Sequence, residues 1–153
     1  MLELQDDTLV EVMLNALETM AFVTLMPAEQ PYARGEELRR VSIDFAGPPG
    51  RGSLQVVAPA ALGRLLVANL MGISPEDEQA ASGADDALRE LLNVACGTLL
   101  RQWTAHSAEP VEMGIPRVEG FADDWDQLAR CDGVHVLDAD GHVIALRLTE
   151  QGS

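Results

Sequence analysis

Lysine is absent from the chain: all ten basic residues among its 153 are arginine. That absence removes Schiff-base chemistry through a lysine amine and the phosphate-binding lysine of a P-loop. Positive charge is scarce altogether, with 25 acidic residues against those 10 and a formal net charge of −15. A nucleic-acid binder needs a basic footprint to displace counterions from phosphates, so no nucleic-acid partner is expected. The acidic excess instead steers encounters toward a basic or amphoteric protein surface. Cysteine occurs only at Cys96 and Cys131. The two lie in no CxxC pair and make no disulfide framework, and Cys96 sits within an apolar helical pattern as a small core residue. No apolar run approaches the roughly 18 residues a membrane helix requires. The first seven residues are acidic where a secretory signal is basic, so a cytoplasmic protein without membrane association is expected. With 47% apolar residues, the chain is rich enough for one substantial core, and a single domain over residues 1–153 is expected.

What is present reads as helix, hairpin, two helices, then strands. Leu9, Val10, Met13, Leu14, Leu17, Met20 and Ala21 recur at helical spacing, and Pro27 stops the run, which predicts a helix from Thr8 to Met26. A polar connection through Pro31 and Gly35 follows. Val41, Ile43 and Phe45 alternate with Ser42 and Asp44, which predicts a strand from Leu38 to Ala46. It pairs with a second strand, Ser53 to Ala58, across the turn-rich stretch Gly47 to Gly52. Pro59 opens a helix that runs to Met71 and ends at Gly72. After an acidic loop, Ser82 and Asp85 form a capping-box-like start for a third helix, from Ala84 to His106. Pro110 to Gly120 reads as one strand region, and Val134–Leu137 and His142–Leu148 as a hairpin closed by Asp138-Ala139-Asp140-Gly141. Strands do not alternate one-for-one with helices, which excludes a doubly wound parallel sheet. The expected fold class is α+β: a mostly antiparallel sheet with the helices packed on one face.

The third helix carries the informative pattern. At about 100° per residue, Leu88, Leu91, Leu92, Ala95, Cys96, Leu99 and Trp103 fall on one broad face, the core side. Asp86, Glu90, Asn93 and Gly97, spaced four, three and four apart, fall in a band roughly 60° wide on the opposite face. Exposed acids need no explanation, and Asp86 in the first turn of the expected helix is favourable beside its dipole. Asn93 and Gly97 fit a merely solvated face less well. Asparagine is a poor helix former, and an exposed mid-helix glycine costs roughly 1 kcal/mol relative to alanine. A glycine there makes sense where another protein's backbone comes close. The stripe reads as a docking face without naming its partner.

Other polar residues carry less. His106, His135 and His142 lack ligand spacing with one another or with the cysteines. Asp138-Ala139-Asp140-Gly141 resembles the start of a calcium loop but lacks its remaining ligands, and a hairpin turn accounts for it. Ser42, Ser53 and Ser74 have no nucleophile elbow or base around them. Asp123-Asp124-Trp125-Asp126 reads as a solvated loop, with partner contact as the sharper alternative.

The spacing Asp86-xxx-Glu90-xx-Asn93-xxx-Gly97 resembles the D/S-xxx-E-xx-N motif and following glycine of the CheC/CheX chemotaxis phosphatases. Leu70-Met71-Gly72, Ile115-Pro116-Arg117-Val118-Glu119-Gly120 and the closing apolar run Val143–Leu148 are similar to other segments of that family, in the same order. CheC-type members carry two motifs. Here the N-terminal helix has Asp7-xxx-Glu11-xx-Leu14, with Asn15 one position late and turned about 100° away, so the single-motif CheX type is the one resembled. The resemblance implies a CheX-like domain whose substrate is the phosphoryl-aspartate of a CheY-like response-regulator receiver. It implies Asn93 as the residue positioning the attacking water and Glu90 as the residue pairing with the receiver's lysine. Asp86 and Gly97 are then partner-binding residues at the rim. No cofactor of the chain's own is implied, Mg²⁺ being supplied by the receiver, and a homodimer is expected. The alternatives are a non-hydrolysing adaptor built on the same fold and a flagellar-switch-type assembly domain.

Overall fold

The computed structural model describes residues 6–28, 37–47, 50–105 and 108–150. The polar connection through Pro31 and Gly35, the Pro48-Pro49 turn and His106 lie outside them. Helix α1, Asp6–Ala21, buries Leu9, Val12, Met13, Ala16 and Leu17 along one face. It stops six residues short of the proline that was expected to end it. Phe22 takes a left-handed conformation (φ 56°) and its N–H donates to the Glu18 carbonyl at 3.0 Å, closing the helix with an αL cap, while the N–H of Val23 donates to the Leu17 carbonyl at 3.2 Å. Beyond it Val23 and Leu25 are buried while Phe22, Thr24 and Met26 are exposed, a period of two that makes β1, Leu25–Pro27.

Strands β2, Leu38–Gly47, and β3, Gly50–Pro59, pair antiparallel over their full lengths, Gly47 opposite Gly50. Val41, Ile43 and Phe45 of β2 point to the same side as Leu54, Val56 and Ala58 of β3, and all six are buried. Helix α2, Ala60–Met71, follows Pro59 directly and ends at Gly72 (φ 67°), the left-handed position that glycine adopts without strain. Helix α3, Glu78–Trp103, starts well before the Ser82–Asp85 box that was expected to open it. Asp77 is its N-cap, accepting from the Gln79 N–H at 2.9 Å, and Ser82 lies inside the helix, donating back to the Gln79 carbonyl.

The expected single strand over Pro110–Gly120 is two short pieces, β4 (Glu112–Met113) and β5 (Arg117–Gly120), both on β2. Gly114 donates to the Asp44 carbonyl at 2.7 Å, and Pro116, which has no N–H, interrupts the ladder before β5. Asp123-Asp124-Trp125-Asp126 is not wholly a solvated loop. Asp124 accepts from the N–H groups of Asp126 and Gln127 and caps the short helix α4, Trp125–Ala129, whose Trp125 is buried. Strands β6, Val134–Ala139, and β7, His142–Glu150, form the closing hairpin. Its Asp140-Gly141 turn has positive φ at both residues, as a type I′ turn requires.

Among the described residues seven strands form one sheet in the order β1-β6-β7-β3-β2-β4, with β5 also on β2, and every pairing is antiparallel. The three long helices share the main core with one face of this sheet, as the α+β reading expected. The addition is α4, whose Trp125 packs with Val57 and Ala145 on the opposite face.

Candidate functional site

Helix α3 is anchored on three sides. Leu88, Leu91, Leu92, Ala95, Cys96 and Leu99 are completely buried in the main core. Small residues bring it close to α2: a Cβ added at Gly63 would sit 2.6 Å from the Ala84 carbonyl oxygen. Toward the sheet edge, Asp85 accepts from Arg39 of β2 twice, Nη2 at 2.7 Å and Nε at 3.2 Å. This forked pair, half-sheltered, fixes the rotation of the helix about its axis. Asp85 was expected to serve only a capping box; its partner lies 46 positions away in the sequence.

With the rotation so fixed, all four residues of the stripe are on the outer side of α3. Asp86 and Glu90 are exposed; Asn93 and Gly97 are half-buried. Asp86 pairs with Arg89 one turn on, a solvated contact that contributes little. Among the described residues, neither Glu90 nor Asn93 has a side-chain hydrogen bond or ion pair. Their Cβ atoms, three positions apart, lie roughly 5–6 Å from each other. A carboxylate and a carboxamide are thus held side by side on a rigid helix with their hydrogen-bonding capacity unspent.

Nothing within the fold requires glycine at position 97. An added Cβ would meet Arg101 Nη1 at 3.7 Å and Met113 Sδ at 3.8 Å, ordinary van der Waals distances. Gly97→Ala is therefore expected to stabilise the protein by about 0.5–1 kcal/mol, a rise of roughly 1–4 °C in Tm for a chain of this size. Differential scanning calorimetry reads it, and a lowered Tm would show that the fold itself needs the glycine.

Three clefts among the described residues are lined by residues outside the stripe. Among the described residues no group of three His, Cys, Asp or Glu side chains could hold a metal ion. Burial pushes the Cys96 thiol up to about 12, so it is protonated and no nucleophile. On α1, Glu11 and Asn15 are exposed and, four positions apart, share a face, but the position three after Glu11 holds Leu14, which packs against the core, so the spacing of Glu90 and Asn93 is not repeated. In chemical terms a carboxamide can orient a water and a carboxylate can bind a cation.

Residues 40–120, just over half of the chain and the whole of β2 to β5 save two residues, match the family model of the chemotaxis phosphatase CheX. The chain belongs to the CheX family. No curated protein has a significant match to it. Solved structures repeat the fold of this CheX-family protein almost end to end. The chemotaxis protein CheX from Vibrio vulnificus is 22% identical with a TM-score of 0.62, covering 93% of this chain and 94% of its own. A CheC-like superfamily protein from Shewanella sp. PV-4 is 21% identical with a TM-score of 0.65, covering 98% and 100%. CheX in a CheX–CheY–BeF3–Mg²⁺ complex from Borrelia burgdorferi is 12% identical with a TM-score of 0.63, covering 95% and 97%. At these identities the likeness establishes the common fold.

Proposed function

We propose that this CheX-family protein docks the α3 stripe onto a phosphorylated CheY-like receiver domain and accelerates hydrolysis of its aspartyl phosphate. The observation that carries the reading is the Glu90–Asn93 pair on the outer face of α3, without side-chain partners among the described residues and within the segment that matches the family. The Borrelia burgdorferi CheX–CheY complex supports a receiver as the partner.

Phosphoryl transfer depends chiefly on positioning and on electrostatic stabilisation. A carboxamide suits the first task. The Asn93 oxygen accepts from a water while its nitrogen donates, which holds the water in line with the phosphorus without adding a negative charge beside it. Half-burial of Asn93 limits the side-chain freedom lost when the water is captured. Glu90, a turn earlier and exposed, pairs with the receiver's lysine and sets the register; the chain has no lysine of its own to compete for it. The receiver brings Mg²⁺, which neutralises charge on the transferring group. Gly97 lets the receiver's backbone approach, and Asp86 lies at the rim. A homodimer belongs to the same reading.

Association with the host's isolated receiver domains, with and without a beryllofluoride phosphate mimic, tests the docking. Saturable binding that the mimic strengthens is expected. Glu90→Ala is expected to weaken it roughly tenfold, the scale of one charge-assisted hydrogen bond, and to slow dephosphorylation with it. Unchanged affinity in Glu90→Ala would remove Glu90 from the interface. Binding without any change in phosphate lifetime would instead identify an adaptor.

A further inference from the structure

The side of the sheet away from α3 carries a cleft of about 310 Å³, roofed by the segment from Phe121 to Cys131. Its floor follows from strand alternation. Residues 40 of β2, 55 and 57 of β3 and 147 of β7 all point away from the main core. Gln55 is the register partner of Arg147, and Val57 that of Arg40. The two arginines therefore flank β3 from opposite sides, two strand spacings across and two residues along, roughly 12 Å apart at the backbone. Both line the cleft.

Each presents a shielded donor that the chain does not satisfy. Arg147 gives Nη2 to Gln55 Oε1 at 2.8 Å, but its Nε–H is buried with no acceptor among the described residues. Arg40 reaches Asp123 only at 3.5 Å and stacks over Phe121, with 5.4 Å from guanidinium carbon to ring centroid. Its buried Nε lies 3.4 Å from Glu119, an ion pair without hydrogen-bond geometry. Two carboxylates, Glu119 and Asp123, face Arg40 at these long distances, whereas Arg147 has no ion pair among the described residues. Asp124 is committed to capping α4, and the Asp123 side chain is 74% exposed. A buried donor left without an acceptor is costly, the more so on a charged group. Two such donors belong to residues lining one cleft, in a chain with only ten cations in all. Val57, Phe121 and Leu128 supply apolar walls beside them.

We propose that this cleft binds a small organic oxyanion, a carboxylate or a phosphate monoester. Its charged group accepts from the buried Nε–H of Arg147 and from that of Arg40, where it displaces the long Glu119 contact, and its apolar part lies against Val57, Phe121 and Leu128. The site is on the opposite face of the sheet from Glu90 and Asn93, so it is independent of the receiver-docking reading.

Isothermal titration of the full chain with benzoate, phenyl phosphate and inorganic phosphate, at ionic strength matched with sodium chloride, tests the proposal. Arginine Nε–H resonances provide a second readout on the unaltered protein. Saturable binding of at least one probe is expected, with shifts at the Nε–H signals of Arg40 and Arg147; the stronger of benzoate and phenyl phosphate identifies the headgroup. Arg147→Met and Arg40→Met each keep an apolar stem and should weaken that binding at least tenfold. Arg51→Met, an exposed arginine toward the far end of β3, should leave it unchanged. Absence of saturable binding by every probe, the result if water alone occupies the cleft, would overturn the proposal. So would Nε–H signals that stay unmoved, or equal affinity in both methionine variants.

Discussion

Asn93→Ala is expected to remove nearly all of the acceleration this protein gives to receiver dephosphorylation, a loss on the order of 100-fold or more. That is the scale on which single preorganised hydrogen-bonding groups act in enzyme sites. The change deletes the water's donor and acceptor together and leaves Glu90 in place. Affinity for a beryllofluoride-loaded receiver should therefore stay within about threefold, because the carboxamide serves the water and not the interface. Stability offers an internal control. Asparagine is a weaker helix former than alanine by about half a kcal/mol, and Asn93 has no side-chain hydrogen bond among the described residues that would be lost. A variant that is catalytically dead yet melts no lower than the parent would separate chemistry from folding. A phosphate decay rate equal to that produced by the unaltered protein would remove Asn93 from the mechanism.

Gly63→Ala is expected to do the opposite: damage the fold and reach the stripe only through it. The new methyl carbon would be placed 2.6 Å from the Ala84 carbonyl oxygen and 3.0 Å from the Ala84 Cβ. Backbone atoms cannot swing aside as a long side chain does, so α2 and α3 must separate. Overpacking of this kind costs about 1–3 kcal/mol, or roughly 2–12 °C in Tm for a chain of this length. Because α3 carries Glu90 and Asn93, its displacement should also slow dephosphorylation, in contrast to the Asn93 variant, whose stability is preserved. Thermal and denaturant melts read the effect. A Tm within a degree of the parent would show that the helix contact has slack the geometry does not reveal.

The stripe was legible because α3 is long: over 26 residues a 3.6-residue period separates its buried and outer faces without ambiguity. Its start was not. Ser82 and Gly83 look like a boundary, yet Gly83 is small because α2 is near, a Cβ there lying 3.3 Å from Val67 Cγ2. Asp77, the true cap, sits among acids that are individually as plausible. Strand β1 was hidden for a different reason. The six residues from Ala21 to Met26 are too few to distinguish a helical from an alternating pattern, and Met20 and Ala21 extend the helical one. Long-range pairings were beyond reach. Nothing local to Asp85 announces Arg39, and strand alternation puts Arg40 and Arg147 on one face without showing that they share a cleft. The role proposed for Glu90 and Asn93 rests on the family's spacing, since an exposed carboxylate and amide on a helix carry no such signal by themselves.

The lifetime of the phosphoryl-aspartate on a cognate receiver, followed with increasing amounts of this protein and excess Mg²⁺, tests the central claim most directly. The decay rate should rise in proportion to the protein added, saturate as the receiver is bound, and fall back to the receiver's own rate when Asn93→Ala replaces the parent. A lifetime unchanged at protein concentrations that saturate the receiver would contradict catalysis and leave the α3 stripe as a binding surface.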